Sequence, residues 1–183
     1  GKYSEFKIKD YGITFGYLIE MNRFLKNFLS NNSIEKNSKD YSMLILGFGL
    51  GGASLNFSKF NNIVKIDSIE LEPSLFKLFK RVTITKNIPV PNKLNFIEGD
   101  AIEYLKHCKR IGKKYDLILD DLFYNYQKVN YDLSLIHDCL NKNGLFFSNV
   151  HFDASSYMNN LKNKNFRDIK IYTNNEHLII GKK

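Results

Sequence analysis

Cysteine and histidine are both scarce in this chain. Its 183 residues include two cysteines, Cys108 and Cys139, without C-x-x-C spacing, and four histidines, His107, His137, His151 and His177, without close pairing. Neither a disulfide framework nor a zinc site fits that pattern, so reduced, partly buried thiols and no metal are expected. Long apolar runs are missing too, and nothing approaches the roughly 18 residues a bilayer span needs. The opening GKYSEFKIKDYG offers neither an apolar h-region nor a cleavage site, so a cytoplasmic protein without membrane contact is expected. Acids are outnumbered: 27 Lys and Arg against 19 Asp and Glu leave a net charge of +8. Such a surplus can steer a protein toward phosphate-rich partners. The lysines are spread along the whole chain, however, and no basic cluster carries interleaved aromatics, so nucleic acid is not the favoured partner.

The length suits one domain with its own core, and 43% apolar with 25% charged residues is ordinary for a globular protein. From residue 43 onward, strand-like runs alternate with segments of helical period. MLILG (43–47), IDSIELE (66–72), LNFIEG (94–99), YDLILDD (115–121) and GLFFSNVHF (144–152) read as strands. Between them ASLNFSKF, SLFKLFKRV, AIEYLKHCK and YDLSLIHDCL repeat apolar residues three and four apart. That order predicts an α/β fold, a mostly parallel sheet with helices on both faces. A helix over ASSYMNNLKNKN (154–165) then leads to FRDIKIYT and EHLIIGKK, a strand pair broken at NNE, which predicts a terminal antiparallel hairpin. Residues 1–40 form an extension: a hairpin within 5–19 turning at Asp10, Tyr11 and Gly12, an amphipathic helix over YLIEMNRFLKNFL, and a polar connector. Residues 41–183 form the main domain.

Eleven glycines serve the whole chain, yet four of them fall within LGFGLGG, at positions 47, 49, 51 and 52. They sit where the first strand turns into the first helix. A residue without a side chain permits positive φ and lets a ligand approach the main chain, and the next helix offers unpaired N–H groups. The spacing fits both G-x-G-x-G and the dinucleotide pattern G-x-G-x-x-G. Some twenty residues on, SIELEP places Glu70 at a strand end, where a carboxylate can accept from both hydroxyls of a ribose; Glu72 faces the same way one step into the loop. Asp100, in EGDA, stands between strand and helix, to cap that helix, to accept from an adenine amino group, or both. YDLILDD brings Asp120 and Asp121 to the carboxyl edge of the sheet beside the glycines, while Asp116 at the strand's start reads as structural.

With the glycine loop, ribose acid, G-D-A and D-D in this order, residues 43 onward resemble the class I S-adenosylmethionine-dependent methyltransferase superfamily, and within it the spermidine synthase branch. The resemblance implies a Rossmann-like, seven-stranded sheet ending in an antiparallel hairpin. It implies that Gly47, Gly49 and Gly51 approach the methionine portion of S-adenosylmethionine or its decarboxylated form. Glu70 would meet the ribose, Asp100 with Ala101 the adenine, and Leu71 and Asp120 the cofactor as well. Asp121 takes the position of the aspartate that handles an amine substrate. The chain departs from that branch at Leu50, where an acid belongs in the glycine loop, and at Leu122–Tyr124, where D-S-S-D would continue. Two carboxylates for a cationic polyamine are therefore absent. Methyl transfer to a small-molecule or protein acceptor is the leading expectation, with Asp121, Asp120 and His151 as catalytic candidates, Asn149 and Asp153 beside them, and Tyr124 and Tyr126 as pocket walls. Aminopropyl transfer, a non-catalytic nucleoside-binding scaffold and a nicotinamide dehydrogenase are the competing readings. A homodimer is compatible with each.

Overall fold

The computed structural model describes residues 16–33, 39–124, 127–150, 153–173 and 177–183. Its strands are β1 (Tyr41–Leu46), β2 (Ile63–Glu70), β3 (Leu94–Glu98), β4 (Tyr115–Asp120), β7 (Leu140–Val150), β8 (Arg167–Thr173) and β9 (His177–Lys182). They form one sheet in the order β3-β2-β1-β4-β7-β9-β8. β3, β2, β1, β4 and β7 pair in parallel, and β9 runs antiparallel to both β7 and β8. Two short strands, β5 (Phe123–Tyr124) and β6 (Gln127–Lys128), make a separate antiparallel ribbon.

The central strands read as near-continuous apolar runs because both their faces are covered, as parallel sheets require. Met43 and Ile45 of β1 pack on one side with Leu117 and Leu119 of β4, and Leu44 and Leu46 pack on the other with Ile118. The first side is closed by α1 (Gly16–Ser33), α2 (Gly52–Phe57) and α3 (Pro73–Thr85), the second by α4 (Ala101–Ile111), α5 (Ser134–Cys139) and α6 (Ala154–Asn163). The amphipathic pattern near the start of the chain delivers Tyr17, Leu18, Met21, Leu25 and Leu29 of α1 into the first core.

Local signals explain the boundaries. Pro73 opens α3, where its missing N–H costs nothing, and Glu72 caps the helix by accepting from Ser74 N. α4 starts under the Asp100 cap and stops at Gly112 in the left-handed conformation. Asp153, a candidate site residue by sequence, instead caps α6 by accepting from Ser156 N.

Three expectations are adjusted. β7 begins four residues before Gly144. Gly16–Ile19, the end of the expected amino-terminal hairpin, are the first turn of α1, while the rest of that hairpin lies outside the described residues. The NNE break lies outside them as well, though the β8/β9 pairing expected around it is present. Cys108 and Cys139 are free and buried, and burial pushes the Cys139 thiol up to about 12.

Candidate active site

The site grows from the turn between β1 and α2, where three glycines at positive φ do three different jobs. At Gly47 (φ +87°) a Cβ would stand 2.7 Å from the Asp121 carbonyl oxygen. The missing side chain thus allows the ends of β1 and β4 to close up, with Asp121 N donating to Leu46 O at 2.9 Å. At Gly49 (φ +53°) a Cβ would meet nothing within 4 Å, so the backbone here faces open space. At Gly51 (φ +79°) a Cβ would lie 2.6 Å from the Phe79 ring and 2.7 Å from Phe48. Gly51, expected to approach the cofactor, is buried and does not line the cleft described next; it packs the turn onto aromatic rings.

An open cleft of about 1010 Å³ lies at the carboxyl ends of β1 to β4, and Gly47, Gly49, Glu70, Leu71, Asp100, Ala101 and Asp121 all line it. Glu70 clasps the glycine turn: Oε2 accepts from Gly49 N and Oε1 from Glu72 N, both at 3.0 Å. Each oxygen keeps a second lone pair, so the carboxylate can still accept two hydroxyls. Asp100 uses only Oδ1 for its cap, accepting from Ile102 N at 2.8 Å and Glu103 N at 2.9 Å. Its Oδ2 has no bond to a described residue.

Asp121 sits half-buried in the cleft wall. Its Oδ2 accepts from the Tyr17 hydroxyl at 2.6 Å and its Oδ1 from Asn149 Nδ2 at 3.0 Å. Because Asn149 must present its amide nitrogen to the carboxylate, its Oδ1 is left over. That oxygen is buried and accepts no hydrogen bond from a described residue.

Asp120, one residue earlier, points to the other side of the sheet and is fully buried. Lys128 reaches its Oδ1 at 2.8 Å, Leu122 N donates to the same oxygen at 3.0 Å, and Tyr131 and Tyr157 hydroxyls donate to Oδ2 at 3.0 and 3.3 Å. Burial, together with the neighbouring carboxylate, holds both phenols well above their ordinary pKa. Asp120, expected to be a catalytic and cofactor residue, does not line the cleft; its carboxylate is engaged by these four donors. Its partner Lys128 does line the cleft and also donates to Asp120 O at 2.9 Å, tying the β5/β6 ribbon down as a wall with Leu122 and Phe123.

His151 and Tyr126 lie outside the described residues. Asp116 is structural as expected, at the far strand end, accepting from Ser42 N and Asn141 Nδ2 and pairing with Lys39. Tyr17 and Lys128 went unnoticed in the sequence. Tyr17 is 104 positions from Asp121, and nothing local marks it as a site residue. Among the described residues no group of His, Cys, Asp and Glu could hold a metal ion, and no helix is long and apolar enough to cross a membrane.

No protein-family model and no curated protein matches the sequence. Solved structures match its fold. A Streptococcus mutans protein described as a SAM-dependent methyltransferase aligns with TM-score 0.63 and 14% identity over 88% of this chain and 48% of its own. Human methyltransferase-like protein 13, solved with SAH, aligns with TM-score 0.63 and 14% identity over 78% of this chain and 71% of its own. Spermidine synthase from Thermotoga maritima gives 0.62 and 14% identity over 79% of this chain and 54% of its own. The chain thus spans about half the length of the Streptococcus mutans protein and of the spermidine synthase. The fold is that of the class I S-adenosylmethionine-dependent methyltransferases, shared by methyl- and aminopropyltransferases alike.

Proposed function

We propose that the chain is an S-adenosylmethionine-dependent methyltransferase whose cofactor lies in the cleft along β1 to β4. One observation carries the reading: an open glycine backbone at Gly49 shares a single cleft with three carboxylates, Glu70, Asp100 and Asp121, set at the ends of β2, β3 and β4. Glu70 has lone pairs to spare for a ribose, and Asp100 Oδ2 is free to accept from a nucleobase amino group. Leu50 lines an apolar depression with Leu78 and Val82 rather than the cleft, so the glycine turn brings no acid against a cofactor that keeps its own carboxylate. When bound, S-adenosylmethionine supplies a methyl group on a sulfonium.

The chain's own residues hold the acceptor and handle its proton. Asp121, fixed by Tyr17 and Asn149, accepts a hydrogen bond from the nucleophile. The acceptor therefore carries hydrogen on its reacting atom, and Asp121 draws that proton away as the atom becomes positive. The ribbon pinned by Lys128 keeps water from one side. His151 follows directly on Val150 in the sequence and remains a candidate base. Residues 41–183 carry the cofactor site, and the first 40 contribute Tyr17 to it.

Calorimetry and thermal shift with S-adenosylmethionine, its decarboxylated form, methylthioadenosine and NAD test the reading. Ligand at a hundred times its dissociation constant stabilises by about 2.7 kcal/mol. S-adenosylmethionine should give the largest shift. Tighter binding of the decarboxylated form would instead favour aminopropyl transfer, and NAD alone a dehydrogenase.

A further inference from the structure

The glycine turn has a second side. Gly49 opens on the cleft, whereas its neighbour Leu50 lies over a recess of about 220 Å³ walled by Leu55, Leu78, Phe79, Val82 and Ile88. Leu55, Phe79 and Ile88 are buried, and Leu50 and Leu78 stay about half exposed at its lip. Among the described residues Thr83 is the one polar side chain of the wall, and its hydroxyl already donates to Lys80 O at 2.9 Å. A bound water needs about two to four polar partners, which such walls do not offer, and an apolar cavity of only about 150 Å³ takes up a benzene-sized molecule. Leu78, Val82 and Lys86, spaced four apart, form one row along α3 and its C-cap. A second depression of about 290 Å³ shares Leu78 and Val82 with the recess and adds Arg81, Thr85 and Lys86. Neither Arg81 nor Lys86 pairs with an acid among the described residues, and residues 73–97 hold no aspartate or glutamate.

We propose that the two depressions together bind a small amphiphilic anion of the medium-chain fatty-acid class, its apolar tail in the recess under Leu50 and its carboxylate at Arg81 and Lys86. The recess selects the tail, because only an apolar group gains from walls without a free donor or acceptor. The cations then decide which way the ligand lies. A second copy of this face does not fit, since it would set Arg81 and Lys86 against like charges with no acid to offset them. A membrane surface fits poorly as well: a helix that anchors in lipid buries its apolar face there, and that face of α3, Phe76, Phe79 and Thr83, is already in the core. The bound tail lies against two groups that shape the cofactor turn. One is Leu50 itself; the other is Phe79, whose ring stands 2.6 Å from where a Cβ at Gly51 would be. The recess and the cleft have no lining residue in common, so the two sites fill independently. The proposal stands on binding alone, whether or not the cleft transfers a methyl group.

The test is calorimetry of the full chain with octanoate, hexanoate, octanol and octylamine, each kept below the concentration at which it forms micelles. Octanoate should saturate a single site, with or without S-adenosylmethionine present. At the usual gain per buried methylene it should bind about fifteenfold tighter than hexanoate. An exposed ion pair is worth at most about fivefold, so octanoate should rank above octanol and octanol above octylamine, with the tail carrying most of the affinity. Leu78→Gln with Val82→Gln should weaken octanoate and octanol alike, by about tenfold or more. Arg81→Gln with Lys86→Gln should bring octanoate down to the level of octanol and leave octanol unchanged. Lys77→Gln with Lys80→Gln, cations of the same helix that line neither depression, should change neither ligand. None of these side chains is buried, so melting temperatures should stay close to that of the parent. The proposal fails if octanoate does not saturate, if S-adenosylmethionine displaces it, if octylamine binds as tightly, or if the Leu78 and Val82 variant binds like the parent. Binding to phosphatidylglycerol vesicles in place of free octanoate would point to a membrane surface and overturn it as well.

Discussion

Asp120 and Asp121 leave β4 one peptide apart, yet the first is sealed among four donors and the second has two donors and an open side. Alternation along a strand sends consecutive side chains to opposite faces of the sheet, so the difference is decided by what covers each face. Beneath α5 and α6 the first meets Lys128, Tyr131 and Tyr157 and becomes part of the scaffold. Beside the glycine turn the second meets Tyr17 and Asn149 and keeps contact with the cleft. A sealed carboxylate holds position; an open one can exchange a proton.

Truncation should make the contrast sharpest. Asp120→Ala leaves Lys128 and two phenols buried without their common partner, and loss of one member of a buried pair costs about 3–5 kcal/mol. Urea denaturation should report that loss, while Asp121→Ala should cost far less stability and instead abolish transfer once an acceptor is supplied. If the two variants are equally unstable, the distinction between sealed and open acids fails.

The next largest effect concerns ligand binding. Glu70→Gln replaces a carboxylate clasping Gly49 N and Glu72 N by an amide that accepts more weakly, at a cost of about 1.5–3 kcal/mol for a charge-assisted bond. Cofactor affinity should fall tenfold or more by calorimetry, more than for Glu72→Gln, whose carboxylate serves mainly as the α3 cap.

Alanine at the glycines should then separate scaffold from site within one turn. Gly47→Ala and Gly51→Ala drive a methyl into the Asp121 carbonyl and the Phe79 ring, adding about 1–3 kcal/mol of overpacking to the left-handed strain. Gly49→Ala carries about 1–2 kcal/mol of strain alone. Melting temperature should rank Gly49→Ala as the mildest of the three, whereas its loss of cofactor affinity should exceed what its melting temperature suggests.

The smallest effect is a pH dependence. Asp67 is another sealed carboxylate: burial raises its pKa, but hydrogen bonds from Tyr115 at 2.6 Å and Lys113 at 2.9 Å outweigh that and hold it below the ordinary value. A depressed carboxyl stabilises the fold above its unfolded pKa, and that contribution fades as pH falls through the folded value. Denaturation midpoints should therefore drop below about pH 4, and the drop should be shallower in Asp67→Asn.

Much of this was legible in the sequence because it is written in short-range patterns. Apolar runs of β1 and β4, Pro73, the Asp100 cap and the clustered glycines each act over a few residues, and they fixed element order and most of the cleft. What escaped depends on distance or on neighbours. Strand alternation alone could not say which of Asp120 and Asp121 would face the cleft, since both faces are covered. Tyr17 reaches Asp121 only because α1 packs across the sheet. Gly47, Gly49 and Gly51 look alike in the chain, and only Phe48, Phe79 and Asp121, brought in by the fold, tell them apart. The β5/β6 ribbon is two residues per strand, too short for any periodicity.

β9 follows β8 in the chain but lies between it and β7. During synthesis, then, β8 emerges before the only strand that can join it to the sheet, and β7 waits with one long edge unpaired. Leu178, Ile179 and Ile180 of β9 are all buried once in place, so the growing chain exposes both an apolar strip and a row of free peptide groups until β9 arrives. Completion of the sheet therefore waits on β9, and until then the unpaired edge of β7 is open to mispairing with another copy.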